Sequence, residues 1–278
     1  MRFLKKIFVS SLVCVYALTG SAFATESENN EASTTMNEYS MIKELQNKTD
    51  LQLQRMGHER EEIEAIRNYQ EDFKKTMDEI KLIDKSILKD DFGYTEEQIE
   101  IINNFDGSEE QMEKASANVT LSISKNSSSK SQTNSKLNVK VRFVWNGVPV
   151  FQFNDVFAMV NGEKMYYDNL NTLFTCTYNG SNGTQKTYQY YLKRNEAGNT
   201  GADVKFPVYK NEVVKYYVKS GSANVPLSRS AYVPECGIGV RYGHARISLS
   251  GIGVSYDGLS ISISGNVDTK YTSSRFYL

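Results

Sequence analysis

The sequence predicts an α+β protein in which an N-terminal helical arm precedes an all-β, antiparallel, sandwich-like domain. Three observations predict it. Apolar residues recur every three or four positions up to about residue 118 and alternate with polar ones beyond it. Every Asn-Gly pair, at 146–147, 161–162, 179–180 and 182–183, lies in the second part, where such pairs mark tight turns between strands. Charge changes sign at the same place. Residues 25–118 carry 24 Asp/Glu against 11 Lys/Arg, and residues 119–278 carry 18 Lys/Arg against 9 Asp/Glu. Two opposed modules on one chain can dock on each other or each seek a different partner.

Residues 1–24 read as a signal peptide. Arg2, Lys5 and Lys6 precede an apolar run from Ile7 to about Leu18. Ala22-Phe23-Ala24 then supplies the small residues of a cleavage site, placing the cut after Ala24. The run is shorter than the ~20 apolar residues that span a bilayer. The expectation is a secreted, extracellular chain. Residues 25–35 are polar and aperiodic, and are expected to be disordered.

Residues 36–118 form the acidic helical region. A short helix around Met41, Ile42 and Leu45 is followed by one that Thr49 or Asp50 can cap and Gly57 can end. From Glu59 to Leu88 the apolar residues Ile63, Ile66, Tyr69, Phe73, Met77, Ile80, Ile83 and Ile87 step by three and four, which predicts one long helix. Thr95-Glu-Glu-Gln98 and Ser108-Glu-Glu-Gln111 have the form of capping boxes. Two segments are copies: 57–69 and 93–105 share Gly, an acidic start, two Ile three apart, Asn and an aromatic residue. This Gly-[His/Tyr]-x-x-Glu-x-Ile-x-x-Ile-x-Asn-[Tyr/Phe] pattern resembles short helical stretches in small secreted proteins of Gram-positive bacteria. Those proteins have no assigned activity, so the resemblance implies an exported bacterial origin and nothing about chemistry.

Residues 119–278 form the basic β domain. Val119, Leu121 and Ile123 alternate, and so do Leu137, Val139, Val141, Phe143 and Trp145. The Ser/Lys-rich stretch between them, 124–136, reads as a long hairpin tip. Strands are expected at Val148–Phe153, at Phe157–Val160 and Lys164–Tyr167 as a hairpin across Asn161-Gly162, and at Leu173–Tyr178, Thr187–Leu192, Val204–Tyr209 and Val213–Val218. Ile238–Leu249, Ile252–Tyr256 and Leu259–Ile263 complete the set. In the last of these, aliphatic residues alternate with Ser around Asp257-Gly258, the pattern of a membrane hairpin. The phase flips at Gly251 and each unbroken run is about six residues, short of the ~9–11 of a membrane strand. A bulge in a soluble sandwich is therefore expected and membrane insertion is not.

Cys176 and Cys236 are the two cysteines beyond the leader. In an exported chain an even pair predicts a disulfide, worth roughly 4 kcal/mol for a loop of this length. With only His58 and His244 in the chain, neither a metal site nor a cofactor is expected. Lys193, Arg194, Lys205, Lys210, Lys215 and Lys219 lie among tyrosines and read as a patch for an anionic cell-wall polymer or an exported protein. Nucleic acid is disfavoured, since no reading motif accompanies the charge. No nucleophile elbow accompanies His244. Three classes follow. The first is a secreted, non-catalytic binding protein. The second is a bacteriocin-like toxin masked by its acidic arm. The third is an envelope hydrolase using carboxylates such as Asp155, Glu163 or Asp168.

Overall fold

The computed structural model describes residues 31–163, 165–194, 201–244, 254–257, 260–263 and 269–278. The signal peptide and the cut after Ala24 lie outside these residues, as do the expected strand residues 245–249. The chain is mostly antiparallel sheet with a helical lobe.

The chain enters through β1 (Glu31–Asn37) and then leaves the sheet for seven helices: α1 (Glu38–Gln46), α2 (Asp50–Arg55), α3 (Arg60–Arg67), α4 (Tyr69–Ile80), α5 (Lys85–Asp90), α6 (Glu96–Asn103) and α7 (Glu109–Ala115). It returns in β2 (Asn118–Lys130). β1 and β2 pair antiparallel from Glu31↔Ser124 to Asn37↔Asn118. The helices are thus an excursion between two neighbouring strands, not an arm ahead of the sheet. Disorder was expected for residues 25–35, but 31–35 are strand, because their backbone groups find partners on β2.

The predicted long helix over 59–88 is three helices. Asn68 ends α3 and opens α4 with a backbone outside the helical region. Asp84 caps α5 by accepting from Ser86 N. The apolar stripe survives these breaks, with Ile63, Ile66, Tyr69, Phe73, Met77 and Ile80 all buried. The two copied segments fold alike. Gly57 and Gly93 take φ of 90° and 77°, a left-handed turn that glycine adopts without steric cost. Reciprocal capping boxes follow, Glu59 with Glu62 and Thr95 with Gln98. Asn68 and Asn104 are the C-caps.

After β2 come β3 (Ser135–Asn146), β4 (Asn154–Asn161), β5 (Tyr166–Tyr167), β6 (Asn171–Gly180), β7 (Gln185–Arg194), β8 (Gly201–Pro207), β9 (Tyr209–Asn211), β10 (Lys215–Arg229) and β11 (Glu235–Gly243). β12 (Val254–Asp257), β13 (Ser260–Ile263) and β14 (Thr269–Tyr277) follow. The main sheet runs β1-β2-β3-β10-β6-β7-β8-β4-β11-β14, with β5 and β9 pairing β10. The Ser/Lys-rich stretch is a hairpin tip, but the strands extend almost through it, from Lys130 to Ser135. Two expected strand pairings fail. Val148–Phe153 is not strand, because its amides turn to the helical lobe. Asn161-Gly162 joins no hairpin: β4 pairs β8 and β11, and β5 pairs β10.

The sheet folds over on itself. Phe143 of β3 lies 5.0 Å from Phe206 of β8 and 5.0 Å from Tyr242 of β11, although these strands are far apart in the sheet order. β1 and β2 pack against β14, and Lys125 Nζ donates to Tyr277 O at 2.9 Å. One wall is β1-β2-β3-β10-β6-β7 and the other β8-β4-β11-β14, with an aromatic core between. Gly221 of β10 is required there, since a Cβ would sit 2.3 Å from Phe143 and 2.5 Å from Phe174.

The expected disulfide is not formed. Cys176 and Cys236 are buried free thiols, one on β6 and the other on β11 in the opposite wall. Burial pushes both thiols well up, and Cys236 Sγ lies 3.6 Å from Gly162 O. Each occupies an inward position for its apolar character. The even count marks two packing sites, not a pair.

Candidate functional site

Polar groups gather in two places, a buried junction and an open face. At the junction, His244 follows β11 directly. Its Nε2 lies 3.0 Å from Glu38 Oε1, and its Nδ1 lies 3.0 Å from both carboxylate oxygens of Asp155. Glu38 and Asp155 are 0 % exposed and His244 5 %. Tyr242 Oη donates to Asp155 Oδ2 at 2.5 Å, and Trp145 Nε1 donates to Tyr242 Oη at 2.9 Å. Glu38 also accepts from Val150 N at 3.0 Å and Phe151 N at 2.8 Å. Burial alone would lower the imidazole, but Asp155 and then Glu38 outweigh it and hold its pKa at about 10.

This cluster fastens the molecule. Both ring nitrogens face carboxylates, so neither is available as a base to a substrate. Glu38 opens α1, Asp155 lies on β4 and His244 follows β11, so one imidazolium ties the helical lobe to the sheet. Further bonds complete the junction. Val148 N donates to Tyr94 Oη at 2.8 Å, Asn179 Nδ2 to Asp91 O at 2.6 Å and Lys215 Nζ to Glu79 Oε2 at 2.7 Å. Val148, Val150, Phe151 and Tyr217 belong to the helical core. The acidic region is therefore a docked lobe.

The open face is the outer side of the first wall. Register places residues in rows across it. Ser33, Ser122, Arg142, Ser222, Thr175 and Gln189 are successive cross-strand neighbours on β1, β2, β3, β10, β6 and β7. Beside them run Thr35, Thr120, Val144, Ser220, Thr177 and Thr187 in the same strand order. The inward partners of these residues are apolar, so strand alternation sends the hydroxyls out. Lys140 lies opposite Asn224, and Lys136 opposite Ser228. At one end Leu173 and Tyr191 are directly opposed and exposed by 43 % and 54 %. Lys193 lies opposite Asn171 beside them.

The six cations singled out in the sequence do not share one surface. Lys215 is in its ion pair with Glu79. Lys219 Nζ donates to Phe92 O at 3.0 Å and Asn146 Oδ1 at 3.2 Å. Burial and then the neighbouring Arg142 lower its pKa to about 8. Lys210 Nζ sits 4.0 Å over the Tyr188 ring, a cation–π contact. Arg194 points to the other side of β7 from Lys193, which flanks Asp203 on the outer face together with Lys205. The acidic lobe thus engages Lys215 and Lys219 and leaves the open face bare, contrary to a mask over the whole basic region.

Asp155 and Glu163 do not converge either. Asp155 opens β4 and Glu163 lies beyond its far end, roughly 20 Å away or more at strand rise, where paired glycosidase carboxylates stand within ~10 Å. Glu163 accepts from Gly237 N at 2.8 Å, and Asp168 accepts from Ser228 Oγ.

Sequence reasoning missed Glu38, Lys136, Lys140 and Arg142. The last three carried a signal, since they occupy the polar phase of an alternating strand. Glu38 carried none.

No protein-family model and no curated protein matches the chain. Among solved structures it is similar to the collagen-binding domain from a Staphylococcus aureus adhesin, at 10 % identity over 56 % of this chain and 95 % of that one, with a TM-score of 0.29. It is similar to ACE19, the collagen binding subdomain of the Enterococcus faecalis surface protein ACE, at 9 % identity over 54 % and 90 %, with a TM-score of 0.27. It is also similar to Clostridium perfringens delta-toxin, at 8 % identity over 59 % and 86 %, with a TM-score of 0.23. At such TM-scores none of the three informs what this chain does. Among the described residues no helix is long and apolar enough to cross a membrane.

Proposed function

We propose that this chain is a secreted, non-catalytic binding protein whose open sheet face holds an extended anionic polymer of the bacterial cell surface. The rows of Ser, Thr and Gln crossed by Lys136, Lys140, Arg142 and Lys193 carry this reading. Hydroxyl and amide groups at regular ~4.8 Å strand spacing match a polymer with repeating acceptors, and the cations match its charge. Leu173 and Tyr191 offer an apolar and aromatic edge for a sugar ring.

Cosedimentation with purified Gram-positive cell walls tests it. Binding is expected to fall as salt rises from about 50 to about 300 mM, because exposed charges are screened. Lys136→Gln, Lys140→Gln and Arg142→Gln combined should weaken binding by at least about tenfold. Undiminished binding by the triple variant would remove the reading. Loss of binding from Lys215→Gln alone would relocate the site to the junction.

A further inference from the structure

We propose that Lys219 and Arg142 form the anchoring subsite of the open face, where the polymer places a phosphodiester. This inference rests on the polymer reading above and names the anionic group that reading leaves open. Arg142 lies on the outer phase of β3, directly opposite Ser222 of β10. Lys219 stands at the irregular step of β10, where the pairing with β6 shifts between Val218 and Ser220. The two cations are close enough for Arg142 to disfavour the charged form of Lys219.

The seam between lobe and sheet is shaped around that amine. Lys219 Nζ donates to Phe92 O at 3.0 Å and to Asn146 Oδ1 at 3.2 Å. Both acceptors are neutral. Gly93 leaves the room, since a Cβ there would sit 3.0 Å from Lys219 Nζ and 2.8 Å from Asn146 Oδ1. The same glycine takes the φ of 77° that opens the second copied segment. An ammonium carries three donors, and among the described residues the third finds no acceptor. Arg142 is exposed and, among the described residues, has no hydrogen bond or ion pair. The Ser220 and Ser222 hydroxyls beside them on β10 are likewise unbonded within the described chain.

Two neighbouring cations that share no carboxylate raise each other's energy. Asp91 is the acid that acts on Lys219, and its pull is weaker than the push of Arg142. Burial comes first and Arg142 second in bringing this amine down to about 8. An anion seated between the two cations relieves both. Arg142 offers a planar fork to two oxygens and Lys219 a point charge. With the two hydroxyls added, the donors approach from more than one plane. A tetrahedral phosphate accepts such a set, whereas a planar carboxylate suits the fork alone.

Calorimetric titration of the secreted chain with a synthetic oligo(glycerol phosphate) tests this, with an oligogalacturonate of equal charge as the carboxylate probe. The bound anion returns the amine towards its ordinary value, so binding takes up a proton. Affinity for the phosphate probe should therefore fall by about tenfold between about pH 7 and about pH 9. In Lys219→Met, affinity at about pH 7 should drop by about tenfold and the fall with pH should vanish. Trp145 fluorescence confirms that the variant is folded. The oligogalacturonate should bind at least about tenfold more weakly than the phosphate probe. A flat pH profile in the wild type, wild-type affinity in Lys219→Met, a pH fall that persists in it, or equal binding of the two probes overturns the proposal. Lys136→Gln with Lys140→Gln separates the subsite from the wider reading. If that double variant weakens binding while Lys219→Met does not, the open face stands and the subsite falls. If neither changes binding, or the wild type binds neither probe, both fall.

Discussion

The junction under the helical lobe and the open face of the first wall use the same residue types to opposite ends. At the junction Glu38, Asp155 and His244 are buried and Lys219 is half-buried, and each finds its partners inside the chain. On the open face Lys136, Lys140 and Arg142 sit at exposed strand positions among hydroxyls. Removal of one partner from a buried ion group strands the others without water, whereas an exposed lysine is solvated either way. The junction should therefore govern stability and the open face recognition.

The sharpest way to break this contrast is His244→Gln. It leaves Glu38 and Asp155 buried without their cation, and should cost about 3–5 kcal/mol in denaturant titrations followed by Trp145 fluorescence. Lys140→Gln and Arg142→Gln should each change stability by no more than about 0.5 kcal/mol in the same titration.

Next in size is the alkaline response. The folded pKa of His244, about 10, stands above the unfolded value near 6.5. Its contribution is complete below about pH 6.5 and is lost as pH rises towards about 10. Lys219 acts in reverse. Its folded pKa of about 8 lies below the unfolded value near 10.4, so stability recovers as pH rises from about 8 to about 10. Stability should fall from about pH 6.5 to about 8 and then level. In Lys219→Met the fall should continue past pH 8, and in His244→Gln the first fall should vanish. A flat profile in the wild type would contradict both assignments.

A smaller effect is expected from Tyr94→Phe, which leaves the buried Val148 amide unpaired and should cost about 1–3 kcal/mol. Smaller still is Lys215→Ala. Its bond to Glu79 is half exposed, with side chains 41 % and 35 % accessible, so about 0–1 kcal/mol is expected by thermal melting. A loss comparable to that of His244→Gln would mean that the lobe is held by its rim and not by its buried centre.

Much of the fold could be read from local pattern. The Ile63–Ile66–Phe73–Met77 stripe and the Val139–Val141–Phe143–Trp145 alternation both end in the core, because burial follows periodicity. What failed was long-range. Asn161-Gly162 has the chemistry of a two-residue hairpin, yet the chain after it pairs with β10, because β8 and β11 already occupy both edges of β4. Cys176 and Cys236 looked like partners by count, yet they are inward positions on different walls. Lys215 and Lys219 looked like surface charge, and the docked lobe claims them.

The sequence by itself determined which residues turn inward, and several of the helix caps, at Thr49, Thr95 and Ser108, since each depends on neighbours within a few positions. Tertiary structure alone decided that Glu38 and Asp155 meet His244 across the length of the chain, and which basic residues remain on an open face. Those outcomes depend on which strands become neighbours and which surfaces they leave uncovered. No local spacing encodes that choice, because it is made by the packing of the whole sheet.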